Sequence, residues 1–229
     1  MSLERRFPGY RFGAVLFLLL VTFVFLAAAP TGEWVRPVTV LLEGLTLLAA
    51  LSASRVPIVL IRIAIVVAGL GLVGAVATMG TSVSTGGAVA LVDVLLVGAA
   101  PVAIAWSVAK RGVIDVHTVL GAICIYVLLG MLWAFAYTAI SDIGTQPFFA
   151  QKVTASTADF LYFSYVTLTT VGYGDLTAAG GFGRAVAVLE ALLGQIYLVT
   201  VVALLVSNLG RGRSRPLARP TPEPEADRR

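Results

Sequence analysis

Thr157-Ala158-Asp159-Phe160-Leu161-Tyr162-Phe163-Ser164-Tyr165-Val166-Thr167-Leu168 is the stretch on which the fold turns. With threonine, serine and tyrosine throughout, it is too polar and too short to cross a hydrocarbon core, which takes roughly 20 apolar residues in a helix. Backbone amides in lipid must be satisfied within their own segment, so a piece like this is tolerated only where protein buries it. It lies between two long apolar stretches, at about 117–140 and 184–208, and runs on into Thr169-Thr170-Val171-Gly172-Tyr173-Gly174-Asp175. The reading is a re-entrant helix dipping between two spanning helices.

The rest of the chain agrees with a membrane setting. Of 229 residues, 59% are hydrophobic and 12% charged, with a mean hydropathy of +0.96. That is far too apolar for a soluble domain. Six stretches are long enough to span: about 12–29, 36–52, 57–79, 88–109, 117–140 and 184–208. Arg5, Arg6 and Arg11, then Arg55, then Lys110 and Arg111, then Arg211, Arg213, Arg215 and Arg219 all fall on one side of such a membrane array. The opposite loops hold Arg36, Lys152 and Arg184. The positive-inside rule then puts both termini in the cytoplasm of a multi-pass protein of the cell membrane. The net charge of +4 is topogenic on this reading and gives no reason to expect a nucleic-acid partner.

The first apolar stretch, ending in Ala27-Ala28-Ala29, also has the look of a signal peptide. Its length favours retention as a spanning helix. The single Cys124 rules out an intrachain disulfide and is expected to be a small packing residue. After Leu209 the tail turns to Arg, Pro and Glu, which cannot bury a core, so 210–229 is expected to be a disordered cytoplasmic tail.

Thr170-Val171-Gly172-Tyr173-Gly174 matches the selectivity-filter signature of potassium channels. The chain therefore resembles the tetrameric potassium channels of six-helix architecture, in the style of bacterial proteins. The match is most specific over about 157–176, good across 117–209, and only architectural before that. It implies an all-α membrane protein with six transmembrane helices, a re-entrant pore helix and a selectivity filter. A four-helix domain over 1–111 would precede a pore domain over 112–209. One chain carries the run once, so the resemblance implies a homotetrameric pore in membrane lipids with K+ as the permeant ion.

The same resemblance assigns roles. Thr170, Val171, Gly172, Tyr173 and Gly174 would supply the ion-binding carbonyls, Gly172 and Gly174 permitting torsions that other L-residues dislike. Asp175 matches the outer mouth, with Tyr162 placed to hydrogen-bond it. Phe163 stands where the family commonly has a tryptophan, and phenylalanine has no N–H to donate. Thr167 remains for the Tyr173 hydroxyl. A filter held by fewer bonds and prone to inactivation is expected. Gly194 falls at a position where the family often keeps a bending point, with close helix packing as the alternative. Glu190, about one and a half turns past Arg184, is expected to face Ser164 or Thr167 and brace the filter from behind.

Other residues bear on gating. Residues 88–109 contain no basic side chain, whereas strong voltage sensing needs several charges in the field. Arg62 sits close enough to the cytoplasmic end of its helix to snorkel. A strongly voltage-gated channel is not expected. Glu43 and Asp93 are read as structural groups paired with polar neighbours, and His117 as an interfacial residue. A membrane enzyme would need a cluster of nucleophile, base or metal ligands, which the spacing does not offer. The alternatives to a passive potassium channel are a non-conducting regulatory subunit or a potassium uptake transporter component.

Overall fold

In a computed structural model, the described residues are 10–28, 32, 34–54, 56–77, 86–109 and 116–211. The expected tail beyond 211 and the link at 110–115 lie outside them, as does the side chain of His117. Seven helices follow one another: α1 (Tyr10–Ala28), α2 (Val35–Ala53), α3 (Ile58–Ala77), α4 (Gly86–Ala109), α5 (Val116–Ile143), α6 (Thr157–Leu168) and α7 (Gly181–Arg211). Segments 35–53, 58–77, 118–143 and 181–204 are long and apolar enough to cross a membrane, while Phe12–Ala28 and Asp93–Ser107 are shorter apolar helical stretches.

Three boundaries differ from the expected positions, one of them the end of α7, which runs to Arg211 and so takes in Gly210 and Arg211 of the expected tail. α5 continues through Ser141 and Asp142 to Ile143, because polar residues can extend a helix past its apolar stretch. α7 opens at Gly181 rather than near 184, and the Arg184 amide already bonds the Gly180 carbonyl at 3.1 Å. Helix-poor glycines there read as loop.

The core is built from facing apolar stripes. Phe12, Val15, Leu19 and Leu26 of α1 are buried, with Leu96 and Ile104 of α4 and Cys124, Leu128 and Met131 of α5. α5 is the central element of the fold, since α4, α1, α6 and α7 all pack on it. Among the described residues α3 touches only α2 and α4, and most of its apolar side chains are exposed. Cys124 is buried, its thiol 3.8 Å from the Phe12 carbonyl.

One expectation about the four-helix unit is corrected. Glu43 is buried, yet neither of its carboxylate oxygens has a hydrogen-bond partner, and Asp93 Oδ1 is equally unpartnered. The surroundings of Glu43 are chiefly apolar, so the pairing anticipated from sequence does not form there, whereas Asp93 shares its surroundings with Arg36, Thr39 and Thr138.

Candidate functional site

The short helix α6 starts with a capping box. The Ser156 hydroxyl accepts from the Asp159 amide while the Asp159 carboxylate accepts from the Ser156 amide, which satisfies donors that a helix start otherwise leaves open. The pattern Ser-x-x-Asp is legible in the sequence. Lys152 adds an ion pair to Asp159 at 2.6 Å. Burial opposes ionisation of Asp159, but the bonds from Lys152 and Ser156 prevail and hold its carboxyl below the usual range.

At the other end, α6 gives way to residues 170–175 in an unusual backbone. Thr170, Gly172 and Gly174 have φ of 58°, 57° and 80°, and no other non-glycine among the described residues has positive φ. Positive φ thus recurs at every second residue, which departs from the uniformly negative φ of a β-strand. Glycine accepts this without a clash. For a β-branched threonine it is strained, at a cost of order 1–3 kcal/mol, and such strain persists only where surroundings enforce it.

The amides of this segment are turned back toward α6. Thr170 N donates to the Thr167 carbonyl at 2.9 Å, and Val171 N and Gly172 N donate to that of Val166 at 3.0 and 3.3 Å. Among the described residues no group donates to the carbonyls of residues 170–174. Buried main-chain carbonyls are normally satisfied, so a run of free ones is either solvated or reserved for a ligand.

The supporting residues fall into three groups. Tyr162 donates to Asp175 at 2.7 Å and its ring stacks on Tyr173, centroids 6.4 Å apart and 6° from parallel. Hydrogen bonding to Asp175 pushes the Tyr162 hydroxyl up to about 12. Tyr173 is 70% exposed, and no hydrogen bond joins it to Thr167 within the chain. Phe163 points the other way, into an aromatic cluster with Tyr137 and Phe149, each centroid 5.2 Å away.

Behind α6, Glu190 is fully buried. Its Oε1 lies 2.5 Å from Ser164 Oγ, and its Oε2 accepts from the Tyr137 hydroxyl at 2.5 Å. Ser164 also reaches the Gly130 carbonyl at 2.7 Å. One carboxyl group on α7 therefore ties α6 to α5. Tyr137 was not anticipated, because its register on α5 relative to α7 is a tertiary fact.

Lower down, a Cβ on Gly194 would lie 2.5 Å from the Leu168 carbonyl oxygen, and α7 runs unbroken through that position. The adjacent Gln195 donates to Thr170 Oγ1 at 3.0 Å. Gln195 was also missed, although a lone amide inside an apolar helix is itself a signal. The segment after Asp175 is pinned by a bridge between Phe149 and Ala178, with amide bonds Ala150 to Thr177 at 2.9 Å and Ala179 to Phe148 at 2.8 Å.

Residues 122–211 match the family model described as "Ion channel". Over that stretch the chain is similar to ion channels, potassium channels among them. It is 30% identical over 89 residues, 38% of this chain and 28% of the relative, to the inward rectifier potassium channel Kirbac3.1 of Paramagnetospirillum magnetotacticum. It is 42% identical over 57 residues to the potassium voltage-gated channel protein shk-1 of Caenorhabditis elegans, covering 25% of this chain and 10% of that one. Over 53 residues it is 47% identical to protein LctB of Geobacillus stearothermophilus, covering 23% of this chain and 39% of that one. The chain thus spans well under half the length of these relatives. No solved structure matches it. The family match, with the apolar helices, makes this a membrane protein.

Proposed function

We propose that the protein is a potassium-selective channel in which four copies of the chain meet around one axis. The observation that carries this reading is the backbone of residues 170–174: alternating positive φ, amides turned back to α6, and carbonyls with no partner. A ring of such oxygens can replace the hydration shell of a dehydrated cation, which then moves passively from site to site down its gradient. Thr170, Val171, Gly172, Tyr173 and Gly174 are the ion-binding residues on this reading. The last turn of α6 precedes Thr170, and a helix C-terminus carries partial negative charge favourable to a cation.

Four copies account for what one chain leaves open. Tyr173 and Val171 are exposed beside a hollow of about 410 Å³ lined by Phe23, Leu161, Tyr162 and Tyr165. The face of α7 bearing Val188, Leu192, Ile196 and Val199 is equally bare. Spanning of α1 and α4 as well completes six crossings, with both termini cytoplasmic by the distribution of arginine and lysine. α4 has no basic residue from Gly86 to Ala109, so steep voltage gating is not part of this proposal.

The test is ion flux into liposomes containing the purified protein. Potassium uptake that barium blocks and that sodium cannot replace is expected. Equal permeation of both ions, or a complex without fourfold symmetry, would overturn the reading.

Tyr162→Phe removes the bond to Asp175 while keeping a ring to stack on Tyr173. Faster loss of current during sustained opening is expected in single-channel or macroscopic recordings. The pH dependence follows from the raised hydroxyl. The bond is present in full below the ordinary tyrosine value of about 10 and is lost only as pH rises through about 12. Titration of Tyr162 thus leaves the outer mouth unaltered across the physiological range.

A further inference from the structure

Away from residues 170–174, α2, α3 and α4 leave between them a groove of about 1290 Å³. On α3 it is lined by Leu60, Ile63, Ala64 and Val67, the spacing of one helix face. α4 supplies Leu95, Ala99, Val102 and Trp106, and the buried Leu47 and Leu51 of α2 form its back. Leu60, Ile63, Leu95, Val102 and Trp106 stay exposed although they line the groove, so its long side is open. α3 is itself long and apolar enough to cross a membrane, which turns that open side to hydrocarbon.

Length and polarity fit the groove to a lipid. It runs from Pro57 to Val67 along α3 and from Leu95 to Ser107 along α4. At 1.5 Å per residue that is roughly 15–18 Å, about half of a 30 Å hydrocarbon core and so the depth of one leaflet. A spanning helix of a second copy would overrun it. The hydroxyl-bearing residues Ser54 and Ser107 both lie at one end, where α2 and α4 finish. Trp106 stands next to Ser107, an aromatic residue of the kind favoured at the membrane–water boundary. Ser54 is 6% exposed, and its hydroxyl has no hydrogen-bond partner among the described residues. Burying a hydroxyl without a partner is costly, and a phosphate or ester oxygen at this end would accept its proton.

Charge selects the headgroup. No acidic side chain lines the groove. In the sequence Arg55 directly follows Ser54, Lys110 and Arg111 come shortly after Ser107, and neither 50–70 nor 99–114 contains Asp or Glu. The hydroxyl-bearing end is therefore the positively charged one, and basic residues beside a membrane attract anionic lipids. Arg62, two residues from both Leu60 and Ala64, falls on the opposite face of α3 and is not part of the lining.

We propose that this groove binds one glycerophospholipid with an anionic headgroup, drawn from the leaflet on the Ser54 and Ser107 side, which the proposed topology makes the cytoplasmic one. An acyl chain lies along α3 and α4 in the apolar length of the groove. The Ser54 hydroxyl donates to a phosphate or glycerol-ester oxygen, and the headgroup charge is met by the basic character of that end. The site is separate from residues 170–174, and the binding stands whether or not the chain conducts.

The experiment uses the purified full chain in phosphatidylcholine vesicles doped with either phosphatidylglycerol or phosphatidylcholine brominated on its acyl chains. Bromine quenches tryptophan fluorescence on contact, and the share of quenching that Trp106→Phe abolishes reports the groove. Phosphatidylglycerol is expected to quench Trp106 at about fivefold lower mole fraction than phosphatidylcholine, the equivalent of one basic residue's attraction. High salt should narrow that gap. Ala99→Phe, which obstructs the middle of the groove, and Ser54→Ala, which removes the donor, should each raise the mole fraction of phosphatidylglycerol needed, with unfolding midpoints near the parent's. Arg62→Gln should leave it unchanged. Equal quenching by the two lipids would mean bulk lipid only and would overturn the proposal. So would a preference that survives both groove variants, displacement of the lipid by soluble glycerol phosphate, or a Trp106 that neither lipid reaches because a second copy covers it.

Discussion

Glu190→Leu is expected to lower the thermal stability of the protein and to speed inactivation, while Glu190→Gln leaves both close to the parent values. The asymmetry comes from counting protons. Three oxygen–oxygen contacts link Tyr137, Glu190, Ser164 and the Gly130 carbonyl. An ionised carboxylate leaves only two protons for them, those of Tyr137 and Ser164. A neutral carboxyl supplies the third by donating to Ser164, which in turn donates to Gly130. Glutamine repeats that pattern, its N–H₂ facing Ser164 and its carbonyl accepting from Tyr137. Leucine repeats none of it. Ser164 keeps Gly130 as its acceptor, so the Tyr137 hydroxyl alone is orphaned, at a cost of about 1–3 kcal/mol. The tie between α6 and α7 is lost as well, and α6 carries residues 170–175 at its end. Thermal unfolding and sustained-current recordings of the two variants check this. Equal destabilisation by Gln and Leu would show that Glu190 works as a charge.

This network also marks where sequence stops informing. The placement of Glu190 near Ser164 is a matter of helical offset along α7, and the structure brings the two together. Tyr137 is one of several aromatic residues on or beside α5, and only the packing of α5 against α7 selects it. The seven helices were legible because each apolar run is bounded by charges, prolines or glycines, and the one polar run among them is α6. Their ends were less so, since Ser141 and Asp142 extend α5 on purely local hydrogen bonding. Residues 170–174 stand out by resemblance, whereas the strained torsion at Thr170 is a backbone property that no residue type announces. Glu43 shows the reverse failure. A buried acid leads one to expect a partner, and the two hydroxyls nearest it instead meet carbonyls of their own helices at 2.9 and 2.8 Å.

Gly194→Ala separates two roles that sequence alone leaves open. Alanine is the better helix former by roughly 1 kcal/mol. If Gly194 served only as a bending point in α7, the substitution would stiffen the helix, raise thermal stability and alter open probability. The geometry adds a second consequence. The new methyl would stand 2.5 Å from the Leu168 carbonyl oxygen and 2.8 Å from Leu168 Cδ1. Backbone cannot swing aside as the tip of a flexible chain can, so the end of α6 must shift, and overpacking of this kind costs about 1–3 kcal/mol. Leu168 is two residues before Thr170, whose left-handed torsion depends on its surroundings holding it. Gln195, the next residue of α7, is the one that grips Thr170 Oγ1. A displaced α6 therefore disturbs the backbone of residues 170–174 directly, which the proposed function makes the filter. The expected result is a lower unfolding midpoint together with impaired potassium selectivity. A higher midpoint with selectivity intact would instead assign Gly194 to bending alone.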